Sequence, residues 1–131
     1  MAAIWKTPQG GAAVRELAGA KVFVCADEGP CLAEDSALSD LIGELYSCGA
    51  RIAAIPLARL GPDFLRLASG VAGHVLQKLV NYRFQVAVLG DVSEAAERSG
   101  PLRDFVRESN RGTTVWFVED LAALEARLTS S

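Results

Sequence analysis

Apolar and polar positions alternate in blocks along the chain, and each block has a recognisable period. Ala12-Ala13-Val14-Arg15-Glu16-Leu17 reads as a weak strand, Gly19 as a turn, and Lys21-Val22-Phe23-Val24-Cys25 as a second strand rich in β-favouring residues. Two strands so close together predict a hairpin. After a loop at Ala26 to Pro30, a helix begins near Glu34-Asp35-Ser36, where its dipole favours acidic side chains. Leu38, Leu41, Ile42 and Leu45 recur at helical spacing, and Gly49 ends the helix. Arg51 to Ile55 is the third strand, stopped by Pro56.

Gly61-Pro62 opens the next helical stretch. Leu67, Val71, Ala72, Val75, Leu76, Leu79 and Val80 keep its period as far as Asn81-Tyr82. Phe84 to Leu89 is nearly continuous in apolar residues, as in a strand buried on both faces, and Gly90-Asp91 turns the chain. Ser93 to Arg98 is a polar helical turn. Pro101 starts a helix with Leu102, Phe105 and Val106 on its apolar side, closed by Gly112. Thr113 to Val118 is the last strand, and a final helix turns Leu121, Leu124 and Leu128 inward. The order β-β-α-β-α-β-α-β-α predicts an α/β fold on a mostly parallel sheet. It occupies residues 12–131 as a single domain, and residues 1–11 form a loose lead-in with Pro8-Gln9-Gly10-Gly11.

Composition narrows the function. Half of the 131 residues are hydrophobic, enough for an ordinary core, and no apolar run is long enough for a membrane span. The start, Met1 to Lys6, lacks the layout of a secretory signal, so a cytoplasmic protein is expected. The net charge of −3 argues against a nucleic-acid partner, since phosphate binding needs clustered Lys and Arg. Arg51 to Arg66 is the nearest approach to a basic patch. Cys25, Cys31 and Cys48 read as free thiols, and with one histidine, His74, they make no metal-ligand spacing. We expect no metal and no cofactor.

Four places offer candidate chemistry. Ligands of open α/β sheets favour the carboxyl ends of the strands. Those ends carry Asp27 and Glu28, Asp91, and Glu119 and Asp120. They form an acidic rim for a cation or polar ligand, or else Asp91 and Asp120 serve as helix caps. Ser69 and Gly70 fall in the first turns of the second helix, where free backbone N–H groups favour an anion or a phosphorylated serine, or where the serine simply caps. Gly70, His74, Gln77, Lys78 and Asn81 fall on one polar stripe, either a solvated face or a partner-binding one. Glu108, Asn110 and Arg111, within FVRESNRG, are ligand contacts or a helix C-cap. No nucleophile elbow, phosphate loop or dinucleotide fingerprint occurs.

The stretches DEGPCLAEDSALSDLIGEL (Asp27 to Leu45), SGVAGHVLQKLVNYRFQVAVLGDVS (Ser69 to Ser93) and PLRDFVRESNRG (Pro101 to Gly112) resemble the bacterial domain-of-unknown-function family 4180. That resemblance implies the fold and brings no established activity. The element order and the Ser-Gly-hydrophobic step at the second helix are more loosely similar to STAS domains of anti-sigma factor antagonists. There a serine at this step is phosphorylated and the helix face meets a kinase. Ser69 is the matching position, although Arg66-Leu67-Ala68 precedes it where those domains carry an Asp.

Three functions follow. The first is a non-enzymatic regulatory or partner-binding domain that uses the second helix. The second is a small enzyme or small-ligand-binding protein at the strand ends, with Asp27, Asp91 and Glu108 as acid–base groups and Cys25 or Cys31 as nucleophile. The third is a homo-oligomer subunit whose apolar fraction hides an interface.

Overall fold

The computed structural model describes residues 12–130, so the lead-in expected at residues 1–11 lies outside the described part. Strands β1 (Ala13–Leu17) and β2 (Ala20–Val24) form the expected hairpin, antiparallel with Leu17 opposite Ala20. Ala18 (φ 51°) and Gly19 (φ 85°) are both left-handed, as a two-residue turn between twisted strands requires. Helix α1 (Asp35–Cys48) follows and ends at Gly49, whose φ of 72° lets the chain leave the helix without a Cβ clash. Strand β3 (Ile52–Pro56), helix α2 (Val71–Asn81), strand β4 (Gln85–Leu89), short helix α3 (Ser93–Arg98), helix α4 (Gly100–Arg111), strand β5 (Val115–Val118) and helix α5 (Leu121–Ser130) complete the order.

The sheet order is β1-β2-β3-β4-β5, with β2 to β5 mutually parallel and β1 antiparallel at the edge. The sheet is therefore mixed. Strand order advances in one direction, so right-handed crossovers put all the connecting helices on one face. The packing agrees. Phe23, Ala53, Ile55, Val86, Val88 and Phe117 meet Leu38, Leu41 and Leu45 of α1, Val75, Leu76 and Leu79 of α2, and Phe105 and Val106 of α4. The alternate strand residues Val22, Ile52, Ala54, Ala87 and Trp116 face the other way and pack with Leu124 of α5. Among the described residues, no polar or charged residue is buried, and no helix is long and apolar enough to cross a membrane.

One boundary departs from the expected pattern. Gly61-Pro62 does not open a helix. Two 3-10 turns, Leu57–Leu60 and Leu67–Ser69, flank an irregular segment, and α2 starts only at Val71. Leu60 and Phe64 are fully buried and pin this segment to the core, while Gly70 (φ 80°) interrupts what the Leu67-to-Val71 spacing presents as continuous helix. At the other helix, Ser99 rather than Pro101 sets the start of α4. Its hydroxyl accepts the Leu102 N–H at 3.2 Å, with Pro101 one residue inside.

Candidate functional site

At the carboxyl ends of the strands, the rim residues have local tasks. Asp91 accepts hydrogen bonds from the Ser93 N–H (2.9 Å) and hydroxyl (2.6 Å). Those bonds hold its carboxyl below the ordinary range. Asp120 accepts the Ala123 N–H at 2.8 Å and caps α5. Asp27 follows β2 and Asp91 follows β4, so β3 and its own loop lie between them in the sheet. That loop carries Arg59. Its guanidinium donates to the Ala26 carbonyl (2.9 Å) and the Pro30 carbonyl (3.0 Å) and lies flat enough on Gly29 that a Cβ there would approach it to 2.9 Å. Among the described residues, no group of three or more His, Cys, Asp or Glu is placed to hold a metal ion.

Of the two cysteines weighed as nucleophiles, Cys25 or Cys31, the first lies in the core. Burial pushes the Cys25 thiol up to about 12, against the lesser opposing pull of the Arg59 charge. A thiol that stays protonated at neutral pH is a poor nucleophile. The sulfur of Cys31 sits against Gly61, where an added Cβ would come within 2.9 Å of it. All three cysteines are free.

Ser69 precedes α2 rather than lying in its first turn. Its hydroxyl oxygen lies 2.8 Å from the Asp63 carbonyl and 2.7 Å from the Arg66 carbonyl, to which it donates, and it accepts the Val71 N–H at 3.2 Å. Ser69 is thus an exposed latch between the irregular segment and α2.

The polar stripe of α2 divides in two. His74 and Lys78, one turn apart, point to α1: the His74 Nε2 is 2.8 Å from Asp35 Oδ1, and the Lys78 ammonium donates to the Ser39 hydroxyl at 3.4 Å. The hydrogen bond and charge of His74 hold the Asp35 carboxyl below its ordinary value. Gln77 turns the other way and donates to the Asn81 side chain at 2.9 Å.

Gln77 borders a groove. It has a volume of about 310 Å³ and runs between α2 and α4 above the start of β5. Leu76, Val80, Phe105 and Val115 form its apolar floor, and Gln77, Glu108 and Ser109 its polar rim. Two of the residues expected as contacts, Gln77 and Glu108, therefore meet here from different helices. Glu108 also lies 3.6 Å from Arg111. Asn110 does not join them. Its side chain accepts the Phe117 N–H at 2.7 Å and its carbonyl accepts from Arg127, which ties the end of α4 to β5 and α5. Phe105 and Val115 were not readable as site residues, because an apolar side chain at core spacing looks the same whether it is covered or lines a groove. Gly73, exposed within α2 with open space where a Cβ would stand, was the available signal.

No curated protein and no solved structure matches the chain. The family model described as Domain of unknown function (DUF4180) matches residues 17–128, which runs from the end of β1 into α5, and the chain belongs to that family.

Proposed function

We propose that this protein is a non-enzymatic, partner-binding domain whose contact site is the groove between α2 and α4. The observation that carries this is the groove's form: an apolar floor, a polar rim and an open side. Small-molecule sites bury most of their ligand. An open groove of this size suits one or two apolar side chains presented by another protein, with Gln77 and Glu108 bonding to their backbone. The inert Cys25 and the local roles of Asp91 and Asp120 weigh against the enzyme alternative at the strand ends. Three free thiols fit a reducing compartment such as the cytoplasm.

Control of this binding at Ser69, on the analogy with STAS domains, is part of the same reading. A phosphate there abolishes the hydroxyl's donor role and loosens the latch at the entrance to α2. Ser69→Glu is then expected to alter partner binding with little change in melting temperature. An unchanged partner profile dismisses the switch.

The groove itself is tested with Gly73→Leu. The new side chain fills the groove, meets open space and replaces a helical glycine, so stability holds or rises by about 0.5–1 kcal/mol. Proteins retained from cell extract by the wild type should be lost with the variant. An identical set retained by both would remove the groove from the function.

A further inference from the structure

A second surface lies at the opposite end of the sheet from the acidic rim, where the parallel strands begin and α1 and α2 finish. Tyr46, near the end of α1, is 61% exposed, and Tyr82, just past α2, is 45% exposed. They are the exposed large hydrophobic side chains among the described residues. The two rings meet edge to face with centroids 6.4 Å apart, and Tyr46 stands edge-on to buried Phe84 at 5.1 Å. The aromatic pair is thus fixed in place and left open to solvent.

Cations flank it. The backbone of Arg51 donates to the Lys21 carbonyl (3.1 Å), and Gln85 donates to the Arg51 carbonyl (2.9 Å), so Lys21, Arg51 and the Arg83–Phe84 segment stand side by side at the strand entries. Lys21 is committed: its ammonium donates to the Cys48 carbonyl, and Glu16 lies opposite it in the hairpin. Arg51 and Arg83 are exposed, and neither guanidinium has an ion-pair or hydrogen-bond partner among the described residues.

Arg83 also has a backbone that disfavours it. Its φ is 70°, in the left-handed region where a side chain is strained. After α1 the chain meets the same need with Gly49 at φ 72°. After α2 it keeps an arginine, next to an exposed aromatic pair and a second unpaired guanidinium.

We propose that this edge docks an acidic peptide segment of a partner protein. Its carboxylates would pair with Arg51 and Arg83, and an apolar side chain would rest on the Tyr46–Tyr82 pair. Tyrosine and arginine together are the usual anchors of protein interfaces. Charge complementarity selects an acidic occupant. A chain of net charge −3 with two free guanidiniums here suits a few carboxylates rather than a run of phosphates.

The test uses the full chain and a short fluorescein-labelled peptide of alternating glutamate and leucine, followed by anisotropy. The wild type should bind it, more weakly as salt rises, and should not bind the lysine–leucine counterpart. Arg51→Glu with Arg83→Glu should weaken binding by about tenfold or more, while Gly73→Leu, which blocks only the α2–α4 groove, leaves it unchanged. Arg83→Gly should raise the melting temperature and weaken peptide binding, a combination that a merely structural arginine does not produce. Equal binding by the charge-reversed variant, or no binding of the acidic peptide, overturns the proposal. So does tighter binding of a single-stranded oligonucleotide at this edge, or a wild-type dimer that the charge reversal dissolves.

Discussion

At the residue scale, backbone and burial override side-chain chemistry in several places. Arg83 is the clearest case. Relieving its left-handed strain with Arg83→Gly should stabilise the fold by about 1 kcal/mol, read from the midpoint of urea unfolding. Cys25 behaves as a core residue. Its thiol should resist iodoacetamide at neutral pH in the native state and react once the chain is unfolded. The folded-state value lies above the ordinary 9.0, so the unfolded thiol ionises first and stability is lost as pH rises from 9.0 towards about 12. Asp35 works in the opposite direction. Its carboxyl sits below its ordinary 3.8 beside His74, so its contribution is present above that pH and is lost as pH falls below it. Thermal melts across the acid range should therefore show a shallower fall for His74→Ala than for the wild type.

At the element scale, the periodic segments were the legible ones. The stripe Leu38, Leu41, Ile42 and Leu45 is buried in α1 as its spacing requires, and Gly49 closes the helix. The start of α2 was not legible. Leu67 and Val71 are spaced as helix neighbours, but Gly70 between them is left-handed, and a glycine's φ cannot be read from its name. Nothing within 4 Å would meet a Cβ at Gly70, so the cost of Gly70→Ala is backbone strain alone. It should amount to about 1 kcal/mol in chemical denaturation. The polar stripe of α2 was legible as a stripe, but its division was not. His74 and Lys78 face α1 and Gln77 faces α4 because α2 lies between those two helices on one side of the sheet.

At the scale of the whole molecule, one sheet serves two cores. Its residues alternate between the face under α1, α2 and α4 and the face under α5. Neither layer keeps its core without the strands they share, so unfolding should be a single step, with coincident urea transitions by far-ultraviolet dichroism and by near-ultraviolet aromatic signal. Separate transitions would mean that α5 detaches independently. The ends of the sheet also differ in character. Asp27, Glu28, Asp91 and Asp120 follow the strands, whereas Lys21, Arg51 and Arg83 stand at or just before their starts.

Local periodicity and turn residues determined the alternation of strands and helices and the hairpin of this protein, because each depends on neighbours a few positions apart. The same information places Asp120 beside the helix it caps and Asp91 beside Ser93, whose N–H and hydroxyl it binds. Tertiary structure alone decided the rest. Gln77 and Glu108 belong to one groove, Cys25 is buried beyond use as a nucleophile, and Tyr46 and Tyr82 form one exposed pair. Each of these depends on which helices lie side by side on the sheet, and contacts between residues dozens of positions apart leave no period in the chain.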